Sequence, residues 1–507
     1  MLRKELNLTG AHLDNLDEIM SDKYLDPLDK YYPRVSVDPL RQANPIKGHN
    51  LVVIQPWISY ANFGHDTDPD LQLAECVSLG NTVHNWRVIG KKVVFAHHLN
   101  KKQLLGPHSF QILKEEILSF QGVSAVFFGV ELLSGVQLVT IEKELQMPVY
   151  DRFTVVLNIF RQHASTREAK IQLALAELPY IRSHLRGIHE SSEFSSSSSS
   201  LKVLVGGAGE RFYHRRLEIL KQRESRLKRC LEDVKNQRET NRKLRKKEEF
   251  PIISVVGYTN SGKTTLIKYL TQDAELVPKD QLFATMDVTL HAGKLDSNKT
   301  VLYVDTIGFI SRIPRLLIEA FSTVLEEVKQ SDLILHILDV THPDHKLQYK
   351  TVISALESLK VQKNLLQTRI TVGNKVDLLG PDKKLESLPH CDLHISATTG
   401  TNVRELTEKI SQQLMVNLQQ ESVILRVENG GEKYFWLRKY ASIIECNADE
   451  SDHNYLICRV IMSPSAVGRW NKRYGTGDIL SDVKCLSDER TSDPFSTGSF
   501  SSAAGAA

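Results

Sequence analysis

Short apolar runs alternate with amphipathic stretches from Leu51 onward. Leu51–Gln55, Lys92–Ala96 and Ala125–Gly129 are β-branched or aromatic runs of strand length, and Leu71–Val83 and Ser109–Phe120 between them have helical length and spacing. Strands separated by such helical stretches predict βαβ units and a parallel sheet, so residues 46–150 are expected to form an N-terminal α/β domain. After Tyr150 the pattern turns helical. Ala169, Leu173, Ala176 and Tyr180 recur at three- and four-residue spacing within Ser165–Arg186. Leu220, Leu227 and Val234 repeat every seven residues, with Leu217 and Leu231 three before two of them. Two long helices, paired as an antiparallel hairpin, are therefore predicted over residues 151–249.

Between those helices, Ser191–Ser200 holds eight serines in ten residues and is followed by the glycine-rich Gly206–Gly209. Such a stretch cannot bury enough apolar surface to order itself, which predicts a flexible tip. A second α/β pattern begins at Pro251 and predicts a domain over 250–418, a mixed sheet with helices on both faces. Val423–Val427, Ser442–Asn447 and Leu456–Met462 alternate like strands around a helical Glu432–Tyr440, predicting a small α+β domain over 419–485. Residues 1–45 are expected as an N-terminal extension, and 486–507, rich in Ser and Ala, as a disordered tail.

Composition agrees with this multidomain α/β reading. At about 150 residues per domain, the 507 residues predict roughly three to four domains. The apolar fraction of 41% and charged fraction of 25% belong to globular proteins and argue against disorder, collagen or a membrane bundle. The longest apolar run, Val123–Leu133, falls short of the about 20 residues a spanning helix requires. Six scattered cysteines contain no C-x-x-C pair, so free thiols in a reducing compartment are expected. The first 30 residues carry more acid than base and lack an apolar core, so no targeting peptide is visible there.

Charge changes the picture locally. The net charge is only +3, yet Arg211–Lys247 holds fifteen Lys and Arg against five Asp and Glu, or +10, leaving −7 for the remainder. A helix this basic is either a solvated face or a footprint for a polyanion.

The strongest chemistry lies after Pro251. Gly257-Tyr258-Thr259-Asn260-Ser261-Gly262-Lys263-Thr264-Thr265 matches G-x-x-x-x-G-K-[ST], behind a β-branched strand and ahead of a helical pattern. Its backbone N–H groups would cradle phosphates at a helix N-terminus, Lys263 would reach the β- and γ-phosphates, and Thr264 would place its hydroxyl on Mg²⁺. Forty-two residues after Lys263, an apolar strand ends in Asp305-Thr306-Ile307-Gly308. Asp305 suits the water shell of the metal, and the Gly308 N–H suits the γ-phosphate. Sixty-nine residues further, Asn374-Lys375-Val376-Asp377 supplies a base reader. The Asp377 carboxylate can accept from guanine N1–H and the exocyclic amine, a donor pair adenine lacks. Ser396-Ala397-Thr398 can present backbone N–H to guanine O6. GTP and GDP are thus the expected nucleotides, with Mg²⁺. Asn260 is a further candidate near the β–γ bridging oxygen, while His336, His342 and His345 do not form H-E-x-x-H and are expected to be structural.

The order and wording of these motifs resemble the translation-factor-related GTPases, and the HflX family in particular. The resemblance covers roughly residues 46–418 and is carried by Asp305–Ile310, Leu282–Thr289, Asp151–Gln162, Glu168–Tyr180 and Gly207–Glu210, where Ala208 stands at the family's usual proline. Asp151–Leu157 and Ser254–Leu270 fit its eukaryotic branch best. The resemblance implies a GTPase that acts on the large ribosomal subunit, splitting or recycling ribosomes or maturing that subunit, with the hairpin reaching toward the catalytic centre and ribosomal RNA as partner of the basic helix. For the eukaryotic branch it implies a mitochondrial ribosome; a cytoplasmic location is the alternative. No DNA, no integral membrane segment and a single copy are expected.

Many GTPases place Gln after the switch-two glycine to orient the attacking water, but here Phe309 follows Gly308. Slow intrinsic hydrolysis, stimulated by the partner, is expected. Lys263, Gly308 and Thr285 are the candidate catalytic residues; Thr285 would bind Mg²⁺ and γ-phosphate in switch one, with Thr289 in reserve. Two other functions remain open: a membrane or trafficking switch recruiting protein effectors, and a second, RNA-remodelling ATPase activity of the N-terminal domain. That domain shows no phosphate loop of its own, although Gly129 and Gly135 could serve turns.

Overall fold

The computed structural model describes residues 48–58, 68–96, 104–164, 166–194, 207–247, 250–273, 276, 282–283, 289–295, 300–311, 326–379, 391–449, 452–475 and 479–483. The expected extension 1–45, the tail 486–507, the hairpin tip from Ser195 to Gly206, and Thr285 lie outside the described residues. The chain divides into two compact units, the first running to Leu244 and the second from Arg245, with Phe283 counted in the first.

In the first unit, β1 (His49–Ile58), α1 (Pro69–Thr82), β2 (Trp86–Ala96), α2 (Pro107–Ser119), β3 (Ala125–Phe128), α3 (Gly135–Leu145) and β4 (Val149–Tyr150) build a parallel sheet of order β2-β1-β3-β4. Leu51–Ile54 and Ala125–Phe128 are almost wholly buried, which is why these strands read as continuous apolar runs instead of alternating ones. The sequence reading overlooked α3 and β4. A two-residue strand carries no periodicity, but Ser134 and Gln137 form a capping box that marks the start of α3. Gly129 and Gly135 serve packing: a Cβ on Gly129 would lie 2.1 Å from Gln55 Oε1, and one on Gly135 2.0 Å from the Ser183 carbonyl.

Asp151 caps α4 (Arg152–His163), accepting from the Thr154 and Leu133 N–H groups at 2.8 and 2.9 Å, and Arg152 pairs with Glu75 at 2.5 Å. These two residues of the Asp151–Gln162 motif thus hold structure together. The hairpin follows as α5 (Arg167–Phe194) and α6 (Gly207–Lys247). Its seam is Ile171, Ala174, Leu178, Ile181 and Leu185 against Leu220 and Leu227, clipped by an Arg182–Glu224 ion pair.

The structure adds to the sequence reading at one point here and corrects it at another. Ala169, Leu173, Ala176 and Tyr180 are buried as well, but they lie outside this seam, and Tyr180 stacks on Phe153 of α4 at 5.4 Å. Helix α5 is covered on two sides, and the spacing picked out the stripe that does not face α6. The expectation of a flexible tip fails at both ends of the segment, because Ser191–Phe194 end α5 and Gly207–Gly209 begin α6. Both segments take their conformation from the long helices they extend.

The second unit begins with β5 (Ile252–Gly257), α7 (Lys263–Thr271), β6 (Thr289–Lys294), β7 (Thr300–Asp305), α8 (Glu326–Lys329), β8 (Leu333–Asp339), α9 (His345–Ser358), α10 (Lys363–Gln367), β9 (Ile370–Asn374), β10 (Leu393–His394) and α11 (Val403–Asn417). Its six-stranded sheet has the order β10-β9-β8-β5-β7-β6. Only β6 runs antiparallel. Leu335 and Ile337 of β8 pack with Leu266 of α7 and Leu406 of α11, while His336 between them meets Tyr349 of α9, ring centroids 5.3 Å apart. Alternation along the strand therefore places helices on both faces.

The last sheet is antiparallel with order β12-β13-β11-β14, from β11 (Glu421–Glu428), α12 (Glu432–Tyr440), β12 (Ser442–Ala448), β13 (Tyr455–Met462), α13 (Pro464–Tyr474) and β14 (Ile479–Val483). This is a split β-α-β arrangement in which α13 and β14 were not anticipated. The expectation of free thiols fails in one place. The register sets Cys446 of β12 opposite Cys458 of β13, Cα atoms 4.2 Å apart, and the two are joined as a disulfide; Cys76, Cys230 and Cys391 remain thiols. A separation of 12 residues gave no signal, because strand pairing alone makes these two neighbours.

Candidate nucleotide-binding site

The three longest motifs sit at the carboxyl ends of β5, β7 and β9, where ligands bind in sheets of this type. After β5, Tyr258–Gly262 turn sharply into α7, with Asn260 at φ +61° and Gly262 at φ +94°. A Cβ on Gly262 would fall 2.2 Å from Asn374 Nδ2, and one on Gly257 2.4 Å from the Ile337 carbonyl, so neither position admits a side chain. Thr259 Oγ1 and Ser261 Oγ are buried without hydrogen-bond partners among the described residues. A loop of N–H groups and hydroxyls at a helix N-terminus suits a polyphosphate.

Lys263 is buried inside this loop, its Nζ donating to the Tyr258 carbonyl at 2.8 Å and the Gly257 carbonyl at 3.3 Å. Burial lowers its pKa from the ordinary 10.5 to about 8, the nearby Asp305 carboxylate opposing that shift. Thr264 Oγ1 donates to Asp305 Oδ2 at 2.8 Å. Two hard oxygen donors held this close, beside a phosphate cradle, suit a small divalent cation. Thr265 follows in the first turn of α7, half-buried.

The Asp305–Gly308 segment is tied to the loop through backbone. Phe309 N–H donates to the Gly257 carbonyl at 3.0 Å, Thr259 N–H donates to the Phe309 carbonyl at 2.7 Å, and Thr306 Oγ1 donates to the Val255 carbonyl at 2.6 Å. A Cβ on Gly308 would meet Thr259 Cγ2 at 2.8 Å and Lys263 Nζ at 3.0 Å, which puts this glycine against the phosphate loop. The Phe309 side chain is buried and has no hydrogen-bonding group to offer a water molecule.

Asn374 joins the base-reading elements to the phosphate loop. Its Nδ2 donates to the Ser261 carbonyl at 2.8 Å, and its Oδ1 accepts from Ala397 N–H at 3.0 Å. Lys375 takes φ +70° and pairs with Asp339 at the end of β8 at 2.8 Å. Asp339 is a positioning residue the sequence reading missed; its only signal was its place at the end of an apolar strand. Asp377 is exposed in the short 3₁₀ turn Val376–Leu378. Ser396 is buried, with its Oγ accepting from Thr399 N–H at 3.1 Å, and Thr398 is exposed beside it.

The structure thus brings Gly257–Thr265, Asp305, Gly308, Asn374–Asp377 and Ser396–Thr398 to one end of one sheet, whereas Thr285 is outside the described residues and Thr289, the reserve, is exposed at the start of β6. His336 is buried, and His342 accepts from Asp344 N–H at 3.0 Å, so these histidines serve the fold. Among the described residues no group of three or more His, Cys, Asp or Glu could hold a metal ion, and no helix is long and apolar enough to cross a membrane.

Comparison with known proteins agrees with this geometry. Residues 252–375 match the family described as 50S ribosome-binding GTPase, residues 70–161 the GTP-binding GTPase N-terminal region and residues 163–245 the GTP-binding GTPase middle region. GTP-binding protein 6 of Xenopus laevis is 38% identical, over 90% of this chain and 85% of its own length; its Homo sapiens counterpart is 40% identical over 80% and 78%. GTPase HflX of Caldanaerobacter subterraneus is 34% identical over 69% of this chain and 79% of its own. Among solved structures, a GTP-binding protein from Sulfolobus solfataricus in complex with GDP is 25% identical, covering 72% of this chain and 99% of its own, with a TM-score of 0.38. A guanine-nucleotide site of this construction, in a chain sharing more than a third of its residues with such relatives over most of their length, makes this chain a member of the HflX family of GTPases.

Proposed function

We propose that this GTPase works as a nucleotide-controlled factor on the large ribosomal subunit, contacting ribosomal RNA through α6. The observation that carries the reading is the pairing of a guanine-nucleotide site with a 41-residue helix in which Arg211–Lys247 alone is +10. Its matched family is described as binding the 50S ribosome, which supports the same partner. Contacts between Lys or Arg and phosphate release counterions, so such binding weakens steeply with salt.

In the hydrolytic step Mg²⁺ would be held by Thr264 directly and by Asp305 through water, where it neutralises phosphate charge. Lys263 exchanges its carbonyl partners for phosphate oxygens, and the Gly308 N–H holds the γ-phosphate. Thr285 completes the set from switch one. With Phe309 unable to orient water, that polar group comes from the partner or another part of the chain. The outcome of turnover is ribosome splitting and recycling, or release from a maturing large subunit, and the location proposed is the mitochondrion.

The test is GTP hydrolysis by the purified chain with and without purified large subunits. Stimulation by a factor approaching about 10³ is expected. Equal rates would contradict the proposal, and fractionation of cells with antibody to the chain checks the location.

A further inference from the structure

Helices α12 and α13 pack side by side over the last sheet. Trp436 and Trp470 are buried in the seam, ring centroids 5.3 Å apart, with Leu437 and Ala466 beneath. Helical periodicity then turns the remaining positions outward, and Phe435, Arg438, Lys439, Arg469, Lys472 and Arg473 are all exposed. The two helices carry six Lys and Arg against one acid, Glu432, or +5, although the chain outside Arg211–Lys247 totals −7. The lone acid is engaged by Arg473 at 2.5 Å and by the Tyr474 hydroxyl at 3.2 Å. Arg469 lies over the Tyr440 ring at 5.1 Å and Lys433 over Tyr474 at 5.9 Å, so aromatic and cationic groups alternate across both helices.

Phe435 is 59% exposed, one helical turn from Arg438 and Lys439. Water is a poor environment for that ring, and an anionic partner with flat π-faces suits both it and its neighbours. We propose that the outer face of α12 and α13 binds a single-stranded segment of RNA, with a base stacked on Phe435 and phosphates on Arg438, Lys439 and Lys472. The open face of the sheet is a poorer platform, since Arg426 there is occupied by Asp449 at 2.6 Å and by the Tyr455 ring at 4.4 Å. This surface deepens the ribosome reading by adding a second RNA contact, made by different residues from those of α6.

The test measures anisotropy of a short fluorescein-labelled oligouridylate with the full chain, alongside co-sedimentation with large subunits. Four proteins are compared: wild type, Phe435→Leu, the triple Arg438→Gln/Lys439→Gln/Lys472→Gln, and an α6 control, Arg226→Gln/Lys228→Gln/Arg229→Gln. Unchanged GDP affinity reports an intact fold. Phe435→Leu is expected to weaken oligouridylate binding about tenfold. The triple variant should lower the slope of log affinity against log salt by about 2, three cations at roughly 0.7 each. If neither variant changes oligouridylate affinity, the proposal is overturned, and loss of large-subunit binding alone would assign the face to a protein partner. If the α6 control alone loses the large subunit and the oligouridylate, the ribosome reading survives and this one fails. Weakened oligouridylate binding by the α12–α13 variants, with no subunit binding by wild type, would keep the RNA surface and remove the ribosome reading.

Discussion

At the scale of single atoms, guanine selection is proposed to rest on the Asp377 carboxylate. Asp377 can accept from N1–H and the amine of guanine, and an Asn there would offer one acceptor and one donor. That pair matches xanthine, which keeps N1–H but carries a carbonyl at C2. Asp377→Asn is expected to weaken GTP binding by about 10- to 100-fold, the loss of charge-assisted bonds, and to favour xanthosine triphosphate. Competition between the two nucleotides checks it, and an unchanged preference would remove Asp377 from base recognition. Lys263 gives a second prediction at this scale. In the free protein burial lowers its pKa to about 8, and phosphates would restore its charge, so nucleotide binding at pH about 8.5 should take up protons. Calorimetry in buffers of differing ionisation enthalpy reads that uptake directly. The sign for stability is opposite to that of a paired lysine. Between pH 8 and 10.5 the unfolded chain holds this proton more tightly than the folded one, so the nucleotide-free protein gains stability from Lys263 as pH rises through that window.

Elements hold these atoms in place, and their legibility in the sequence varied with how each is packed. The nucleotide motifs were readable because each ends an apolar strand, and because Gly262 and Asn374 occupy positions where geometry leaves no alternative. Gly262→Ala would set a methyl 2.2 Å from Asn374 Nδ2 and is expected to break the link between phosphate loop and base reader, costing at least about tenfold in GDP affinity. Asp339 was illegible, since pairing with Lys375 depends on neighbouring strand ends and not on spacing. Helix α13 was missed although Ser463 caps it, accepting from Ala466 N–H at 3.3 Å, and a proline follows at the first turn. In α5 burial on two sides gave two stripes, of which periodicity showed one. The true hairpin seam predicts that Leu227→Ala, fully buried there, loosens the first unit by about 2–5 kcal/mol. Hydrogen exchange along α5 and α6 should quicken while GDP affinity stays unchanged; protection equal to wild type would place the seam elsewhere.

At the scale of the whole molecule, a guanine-nucleotide site and a strongly basic helix belong to one chain, and the proposed function joins them through a single partner. Under that account the γ-phosphate sets which state of the protein the subunit accepts, because a ligand shifts an equilibrium only by binding one state better than another. The most direct measurement is sedimentation of the purified chain with purified large subunits through sucrose gradients, in GDP and in a non-hydrolysable GTP analogue. Co-migration with the subunit in the triphosphate state and release in GDP are expected. Identical profiles in the two nucleotides, or no co-migration in either, would contradict the proposed function.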